Sequence, residues 1–476
     1  MTPVNNVRRF RREVLIRLVK AFMTGRMVEV ADKIPYEMYP KDSESPRCCI
    51  YKSRAITRSA CLAGMGFMLE HDEDDSIPLA HYARLALERK CPESPIITVN
   101  EIACKACVPA RYFITNACQG CIARQCAVSC NFDAISFKDG QAVIDPAKCK
   151  NCGRCRDACP YQAITRIAVP CEGACPVKAI HKSEDGMAEI DFDKCTSCGR
   201  CMRACPFTAL LERSQVIDVL GILASGRKVV ALLAPAIVGQ FPGSLAQIKR
   251  AILRLGFAEA VEVAHGADIT ASKEAEEFKE RMERGDKFMT TSCCPAYVET
   301  VRRHAKELLP HVSETKTPMH YLAAAAKERD PDSVVVFIGP CVAKRYEGIQ
   351  DEFVDYVLTF EEVGSLFVAK DIDVAACEDL QDNAEDPTAE ARGFAITGGV
   401  AGAVASKLPA GTEIACHCVN GLSPQGVAQL RSFVKGKAPA TLIEVMTCEG
   451  GCVGGAGVLG EKTRTTKAIQ KFIKKA

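Results

Sequence analysis

Hydrophobic and polar positions recur with different periods along the chain, and these periods divide it into regions. Near the start, apolar side chains recur at helical spacing along one side, which predicts an amphipathic helix over Val4–Met23. Those side chains are Val7, Phe10, Val14, Leu15, Leu18 and Phe22. No single period dominates residues 24–95. We therefore expect residues 1–95 to form a helical and mixed N-terminal region.

Residues 96–212 repeat internally. The segments AKCKNCGRCRDACPYQAI, from Ala147, and DKCTSCGRCMRACPFTAL, from Asp193, nearly match. Each follows a short strand-like stretch, and a weaker cysteine-containing copy precedes each of them, at Cys118–Ile135 and Cys171–Ile180. Four half-units in two pairs predict one domain over residues 96–212.

After Glu212, strand-like apolar runs alternate with helical stretches. The runs are Val229–Ala234, Ala260–Ala264, Phe288–Thr291, Val334–Gly339, Val354–Leu358, Glu413–Cys416 and Leu442–Met446. The helices include Leu245–Leu255, Ala271–Arg284, Val298–Leu309 and Met319–Glu328. This alternation predicts an α/β domain with mainly parallel sheets over residues 213–476, and hence an α+β multidomain chain.

Composition excludes some classes of function. The 476 residues are 48% hydrophobic and 25% charged, with a net charge of +2. Such a small net charge gives no strong global field for nucleic acid or an anionic membrane surface. No run approaches the roughly 20 apolar residues that would cross a bilayer. We expect neither nucleic acid nor a membrane as a partner.

Cysteine usage is the unusual feature. Of the 28 cysteines, four lie in residues 1–103, sixteen in residues 104–205 and eight in the remainder. Dense disulfides are typical of small secreted domains, whereas this chain is large and shows no secretory signal. The pattern favours thiolates held by metal in a reducing cytoplasm.

Two cysteine runs have the spacing of bacterial ferredoxins, C-x2-C-x2-C-x3-C-P. They begin at Cys149 and Cys195. In that arrangement the last cysteine of each run binds the neighbouring cluster. The rule predicts three [4Fe-4S] ligand sets. They are Cys118, Cys121, Cys126 and Cys159; Cys130, Cys149, Cys152 and Cys155; and Cys175, Cys195, Cys198 and Cys201.

Four cysteines of this region remain without a set: Cys104, Cys107, Cys171 and Cys205. One hypothesis is that they bind a fourth cluster. The alternatives are zinc on Cys104 and Cys107, or free thiols.

Three separated stretches hold the other informative cysteines, and each follows a strand-like run, where α/β domains place their sites. They are TSCCP at 291–295, GPCVAKRYE at 339–347 and EVMTCEGGCVGG at 444–455. Five thiols are one more than a cubane cluster needs. The glycines around Cys452 suit close approach of the backbone to a bulky inorganic group.

These stretches resemble the three signatures of the monomeric [FeFe]-hydrogenases, and with the ferredoxin-like region the resemblance covers about residues 100–460. TSCCPAY and GPCxAKxxE indicate a variant subgroup. The resemblance implies a two-lobed domain carrying an H-cluster, which is a [4Fe-4S] cubane joined to a diiron site with CO, cyanide and azadithiolate. By resemblance Cys294, Cys341, Cys448 and Cys452 hold the cubane, and Cys452 also bridges to the diiron site.

The resemblance also assigns roles around the diiron site. Cys293 exchanges protons with the amine, Lys344 hydrogen-bonds a cyanide, and Met446 packs on the site. Pro235 and Ala236 match a stretch near a cyanide, and Phe394 matches a pocket aromatic. The family moves protons to its cofactor through a relay that includes two glutamates and a serine. Counting from Gly266-Ala267-Asp268 places Glu274 and Glu277 at the positions of those glutamates, and Ser313 matches the serine.

The function implied is reversible proton reduction and hydrogen oxidation by a ferredoxin-type hydrogenase. Implied partners are a ferredoxin or similar one-electron carrier and the H-cluster maturation proteins. Two alternatives stay open: a hydrogen sensor, and an iron–sulfur assembly protein of the hydrogenase-like family.

Overall fold

The structure is a computed structural model, and it describes residues 6–71, 74–89, 94–108, 111–380 and 385–474. Val4 and Asn5 of the predicted first helix, and Cys91, lie outside the described residues.

The N-terminal region is helical. Its helices are α1 (Asn6–Met23), α2 (Met27–Val30), α3 (Ile34–Met38), α4 (Ile50–Gly64) and α5 (Leu79–Glu88). Helix α1 buries Phe10, Val14, Leu15 and Leu18, as the apolar periodicity predicts. On the same buried face, Arg11 pairs with Glu361 at 2.7 Å. This ion pair ties the first helix to the C-terminal half of the chain.

The cysteine-rich region consists of short strands and single helical turns. The strands are β1 (Ile97–Val99), β2 (Arg111–Ile114), β3 (Ile135–Lys138), β4 (Gln141–Ile144), β5 (Ile164–Ile167), β6 (Ile180–Lys182), β7 (Ala188–Ile190) and β8 (Leu210–Glu212). The helices are α6 (Glu101–Cys104), α7 (Gln125–Val128), α8 (Arg154–Asp157), α9 (Pro170–Ala174) and α10 (Arg200–Ala204).

Strand pairing divides this region into two nested units. Strand β2 pairs with β5 around the hairpin β3–β4, which defines an inner unit over residues 111–167. Strand β1 pairs with β8 around the hairpin β6–β7, which defines an outer unit from residues 97–108 and 169–212. The inner unit is therefore inserted into the outer one.

The remainder alternates strands and helices. The strands are β9 (Val229–Leu233), β10 (Glu259–Glu262), β11 (Met289–Thr290), β12 (Val334–Gly339), β13 (Tyr356–Thr359), β14 (Cys416–Asn420) and β15 (Leu442–Met446). The helices are α11 (Val216–Ala224), α12 (Leu245–Leu255), α13 (Ala264–Glu283), α14 (Pro295–His304), α15 (Pro318–Arg329), α16 (Ala343–Gln350), α17 (Phe360–Ala369), α18 (Ala389–Arg392), α19 (Gly399–Lys407), α20 (Pro424–Ser432) and α21 (Lys462–Ile473).

These strands form two sheets. One has the order β10-β9-β12-β13 and the other β11-β15-β14, and every pairing in both sheets is parallel. Strands β9 and β12 are buried along their whole length, as central strands covered on both faces are. The predicted fold class, a ferredoxin-like region followed by a two-lobed α/β domain with mainly parallel sheets, is confirmed. The domain limits at residues 95 and 212 stay predictions.

Several elements differ from their predicted bounds, among them helix α14, which covers Pro295–His304 rather than Val298–Leu309. Strand β14 covers residues 416–420 rather than Glu413–Cys416, because its polar sequence at the sheet edge carries little apolar signal. Helix α13 begins at Ala264, seven residues before its predicted start. Gly266 permits this early start, since a Cβ there would lie 2.1 Å from the carbonyl oxygen of Pro318 on α15.

Within the described ranges, no helix is both long enough and apolar enough to cross a membrane.

Candidate functional site

An apolar cavity lies where the strands of the two sheets end. Strands β9 and β12 lead into it from one sheet, and β11 and β15 lead into it from the other. Because these strands are parallel, the loops that follow them meet at the same edges of the sheets. The cavity wall includes Pro235, Ala236, Cys293, Cys294, Cys341, Lys344, Phe394, Met446, Cys448 and Cys452. The structure thus brings together every residue assigned to the cofactor pocket from the sequence.

Five thiols face this cavity and influence one another. Burial, followed by the charge of the neighbouring Cys294, raises the pKa of Cys452 to about 12. Burial, followed by Cys341 and Cys294, raises the pKa of Cys448 well above its ordinary value. Cysteines become thiolates under such conditions only when a cationic centre compensates, as a bound metal does.

The backbone around the thiols is closely packed. A Cβ at Gly455 would lie 2.4 Å from the Pro340 carbonyl oxygen, and one at Gly451 would lie 2.9 Å from the Thr397 amide nitrogen. Gly455 therefore lets the loops that carry Cys341 and Cys452 approach each other, and Gly451 lets the Cys452 loop approach the segment that contains Thr397. Among the described residues, no group of three or more His, Cys, Asp or Glu side chains is close enough to hold a single metal ion. Five soft donors in an apolar wall fit a bulky iron–sulfur group.

Behind Cys293, polar side chains lie close to one another and lead away from the cavity, and we call them the polar track. Glu274 of α13 is buried, and its Oε1 accepts a hydrogen bond from the Ser292 amide at 3.0 Å and lies 3.2 Å from the Ser292 hydroxyl oxygen. Its Oε2 has no hydrogen-bond partner among the described residues. The Ser313 hydroxyl, the next group along, donates to Glu277 Oε2 at 2.7 Å. Glu277 in turn pairs with Arg281 at 2.7 Å.

The two glutamates of this track have different proton affinities. Burial raises the pKa of Glu274 to about 7, although hydrogen bonds from Ser292 and Ser313 oppose the rise. Burial also opposes ionisation of Glu277, but hydrogen bonds from the Glu314 amide and the Ser313 hydroxyl outweigh it and lower its pKa. Burial and the nearby Glu274 carboxylate raise the pKa of Cys293 well above its ordinary value. Cys293 is therefore a protonated thiol at neutral pH.

Lys344 is the cation of the cavity wall. Its Nζ lies 2.7 Å from Glu347 Oε2 and donates to the Thr317 hydroxyl at 3.0 Å. Burial lowers its pKa, but the Glu347 carboxylate more than compensates, so the ammonium group stays charged. It can therefore offer a charged hydrogen bond to an anionic group in the cavity.

Met446 and Phe394 provide apolar packing opposite the thiols. Both belong to one buried cluster with Ala267 of α13, and Cys293 and Cys294 pack against this cluster.

Sequence reasoning missed several contributors. Ser292, one residue before Cys293, anchors Glu274, and Thr315 donates to Glu277 at 2.8 Å. Thr317 and Glu347 hold Lys344. Ser292 stands inside the TSCCP stretch and could have been found there. Thr315 and Thr317 carry no motif of their own.

Cysteines of the remaining predicted sets also lie near one another. In the inner unit, burial raises the pKa of Cys126, and the nearby Cys159 and Cys121 add to the rise. Burial likewise raises the pKa of Cys155, with Cys149 and Cys130 adding to it. In the outer unit, burial raises the pKa of Cys195 to about 12, with Cys198 and Cys175 adding to the effect.

The four unassigned cysteines lie together in the outer unit. Burial raises the pKa of Cys171 to about 12, and Cys205 and Cys104 raise it further. Cys107 has the same two neighbours, Cys104 and Cys205. The nesting explains why their motif is hidden in the sequence. Two separate segments together have the spacing of one ferredoxin run: Cys104-x2-Cys107 and Cys171-x3-Cys175-Pro176. The inserted inner unit separates them.

The outer unit contacts the cavity directly. Cys198 lies near enough to Cys448 to raise its pKa, and Cys171 likewise acts on Cys201. Arg200 donates to the carbonyls of Leu422 and Thr447, and Arg203 donates to those of Gly454 and Gly455. The two cysteine sets of the outer unit therefore form a series that leads to the cavity.

The fold and the site define an iron–sulfur protein in which ferredoxin-like units adjoin a thiol-lined α/β domain. Residues 227–456 match the family model described as iron only hydrogenase large subunit, C-terminal domain. Residues 142–165 match a 4Fe-4S binding domain, and residues 167–216 match an LdpA Fe-S cluster-binding domain.

Curated relatives agree with these matches. The chain is 32% identical over 313 residues to the periplasmic [Fe] hydrogenase large subunit of Nitratidesulfovibrio vulgaris, covering 52% of this chain and 74% of that one. It is 29% identical over 389 residues to iron hydrogenase 1 of Clostridium pasteurianum, covering 68% of this chain and 66% of that one. A solved [FeFe]-hydrogenase variant from Chlamydomonas reinhardtii aligns with a TM-score of 0.46 at 22% identity, over 55% of this chain and 88% of that one. The chain belongs to the iron-only hydrogenase large-subunit family.

Proposed function

We propose that the chain is an [FeFe]-hydrogenase that interconverts two protons and two electrons with dihydrogen. The observation that carries the proposal is the convergence of five thiols, one lysine and a buried proton track on a single apolar cavity. A cavity that only stored electrons would not need Cys293 or the glutamates behind it.

In this proposal Cys294, Cys341, Cys448 and Cys452 hold the cubane of the H-cluster. Lys344, Pro235 and Ala236 surround its cyanide ligands, and Met446 and Phe394 exclude water from the diiron side. When bound, the H-cluster supplies the redox chemistry and the open metal position at which hydrogen is made or split. The CO, cyanide and azadithiolate ligands are part of this proposal.

The protein's own task is to move protons. The Cys293 thiol gives a proton to the cavity and is reprotonated from Glu274, whose pKa of about 7 suits both directions at neutral pH. The proton on Glu274 is replaced through the Ser313 hydroxyl from Glu277, which is half-buried. Ser292 fixes the Glu274 carboxyl group, because its amide donates to Oε1 at 3.0 Å. Its hydroxyl donates to the Thr315 carbonyl at 2.6 Å and lies 3.2 Å from the same carboxyl oxygen.

Electrons arrive from the opposite side. We propose four [4Fe-4S] clusters, with the Cys175/Cys195/Cys198/Cys201 cluster next to the cavity and the Cys104/Cys107/Cys171/Cys205 cluster behind it. Two clusters of the inner unit complete the path, where Cys152 is exposed. That exposure supports electron exchange with a ferredoxin or similar one-electron carrier at the inner unit.

Iron analysis tests the fourth cluster. The accessory clusters of the reconstituted protein should account for about 16 iron atoms per chain, four for each cubane set. The Cys104→Ala variant should lose about four of them, while Cys61→Ala, a buried thiol outside every set, should lose none. Equal iron in wild type and Cys104→Ala would remove the fourth cluster, leaving zinc or free thiols.

The two alternative functions, an iron–sulfur assembly protein and a hydrogen sensor, predict different properties for the same residues. An assembly protein would have no use for Cys293 or for the track through Glu274, and a hydrogen sensor would show slow turnover with an intact H-cluster. Maturation proteins are needed only if the diiron site is installed. We propose a cytoplasmic location from the thiol-rich composition, although one relative is named as periplasmic.

The direct test is a hydrogen assay on protein produced together with the maturation proteins. We expect hydrogen evolution with a reduced one-electron dye and uptake with an oxidised one. The Cys452→Ala variant, which keeps all the accessory cysteines, is the matched control and should be inactive. Matured wild-type protein with full iron and no turnover in either direction would contradict the proposal.

A further inference from the structure

A second, basic cleft lies on the other side of the Cys448 loop. It has a volume of about 580 Å³ and is bounded by α1, α10 and the start of α21. Five cationic side chains line it: Arg8, Arg12, Arg200, Arg203 and Lys462. Only two carboxylates do so, those of Glu449 and Glu461. Cys448 is the one residue that lines both the basic cleft and the apolar cavity.

The two carboxylates are already engaged. Glu449 pairs with Lys462 at 2.8 Å, and Glu461 caps helix α21 by accepting from the amides of Thr463 and Arg464. Arg200 and Arg203 donate to backbone carbonyls, which leaves their positive charge unneutralised. The cleft therefore carries a surplus of positive charge.

The side of the cleft formed by α1 also carries more positive than negative charge. Arg12 lies 3.5 Å from Glu361, but that carboxylate is shared with Arg11, and Arg12 Nε is buried with no hydrogen-bond partner among the described residues. Arg8 makes no hydrogen bond or ion pair with any described residue. Burial lowers the pKa of Arg8, the Glu361 carboxylate opposes this, and the like charges of Arg203, Arg11 and Arg12 lower it further. These guanidinium groups repel one another across an open space.

We propose that this cleft binds a small phosphate-bearing polyanion. Arginine is the side chain suited to phosphate because its planar fork donates two parallel hydrogen bonds. The cleft volume lies within the roughly 300–1,000 Å³ range of small-molecule sites. Its cations line a concavity, which suits a compact anion better than the broad surface of a protein partner.

The position of the cleft implies a consequence for electron flow. Arg200 lies near enough to Cys198 to oppose the rise in its pKa, and Arg200 and Arg203 line the cleft together with Cys448. The cleft therefore adjoins the step that joins the proposed clusters to the cavity. Each electron added to a cluster adds negative charge beside the cleft. A bound anion should therefore prefer the oxidised protein, and by reciprocity it should lower the reduction potential of the nearest cluster.

Calorimetry with inorganic pyrophosphate tests binding on protein that holds its accessory clusters. We expect one saturable site at low ionic strength. Arg8→Gln should weaken it by at least about tenfold, since a charged hydrogen bond contributes roughly 1.5–3 kcal/mol. Arg9→Gln is the matched control, because Arg9 is exposed on the same helix and does not line the cleft. It should change the affinity by less than about twofold.

Two further measurements sharpen the result. Citrate should bind more weakly than pyrophosphate, and equal or tighter citrate binding would overturn the preference for phosphate. An EPR redox titration of the Cys175/Cys195/Cys198/Cys201 cluster should shift to lower potential with pyrophosphate, by about 59 mV for a tenfold preference for the oxidised state. Absence of saturable binding, or an equal loss in Arg9→Gln, would overturn the site. Neither readout depends on hydrogenase activity, so this proposal can fail while the proposed function stands.

Discussion

The two sides of the cavity are built on different principles. On one side, Glu274, Ser313 and Glu277 form a track of polar groups that lead away from Cys293. On the other side, thiols of neighbouring cysteine sets lie close to one another, from Cys448 to Cys198 and from Cys201 to Cys171. The first side suits protons, which transfer only between groups within hydrogen-bond reach. The second suits electrons, which do not require such contact.

This difference predicts how each side responds to damage. Removing one polar group should interrupt proton transfer, completely where no other group can take its place and partly where a water molecule can. Removing one electron carrier slows a series of carriers but leaves the chemistry at the cavity intact. Variants on the proton side should therefore reduce turnover without changing metal content, and variants on the electron side should change both.

The largest effect is expected for Cys293→Ala. It removes the only described thiol that faces both the cavity and Glu274, so turnover should fall by about 10²–10⁴-fold, the range of a lost acid–base group. Iron content should stay at the wild-type value. Hydrogen assays and iron analysis on the same preparation check this, with Cys416→Ala, an exposed thiol on β14, as the control. Wild-type turnover in Cys293→Ala would remove this thiol from the proton path.

The next largest effect is expected for Glu274→Gln. The amide keeps the shape and the bonds from Ser292 but cannot exchange a proton, so we expect a loss of about 10²-fold. In wild type, the pH profile of turnover should show an inflection near pH 7, where Glu274 titrates. The variant should lack this inflection. An unchanged profile would mean that another group delivers protons to Cys293.

A smaller effect is expected for Ser313→Ala. Its hydroxyl donates to Glu277 and lies near enough to Glu274 to affect the pKa of that carboxyl. A water molecule could partly take over its role, so we expect a loss of about tenfold. Ser365→Ala is a suitable control because Ser365 is also buried and donates only to the backbone of its own helix. Equal losses in the two variants would indicate a general structural defect rather than a broken track.

The smallest effect concerns stability. A buried carboxyl whose pKa is raised to about 7 favours the folded state below its ordinary value of 4.5 and loses that contribution as the pH rises through 7. The wild type should therefore lose up to about 3 kcal/mol relative to Glu274→Gln between pH 4.5 and pH 8. Apparent melting temperatures across this range check the trend, and parallel curves for the two proteins would contradict it.

The two sides of the cavity also differ in how far their residues can be predicted from the sequence. Cysteine runs are local, so the ligand sets that include Cys149 and Cys195 can be read from spacing alone. The set that includes Cys104 and Cys171 could only be inferred by elimination, because an inserted unit separates its halves. The proton track is less visible still, since Ser292 and Ser313 reach α13 from different loops and carry no spacing signal. The locations of Glu274 and Ser313 came from resemblance rather than from pattern.

Infrared spectroscopy of the matured protein tests the central claim most directly, because CO and cyanide bound to iron absorb where the protein does not. We predict such bands in the wild type and their absence in Cys452→Ala with its accessory clusters intact. A matured wild-type sample that holds its full complement of iron but shows neither CO nor cyanide bands would contradict the account. The chain would then be an electron-transfer protein without a hydrogen-converting centre.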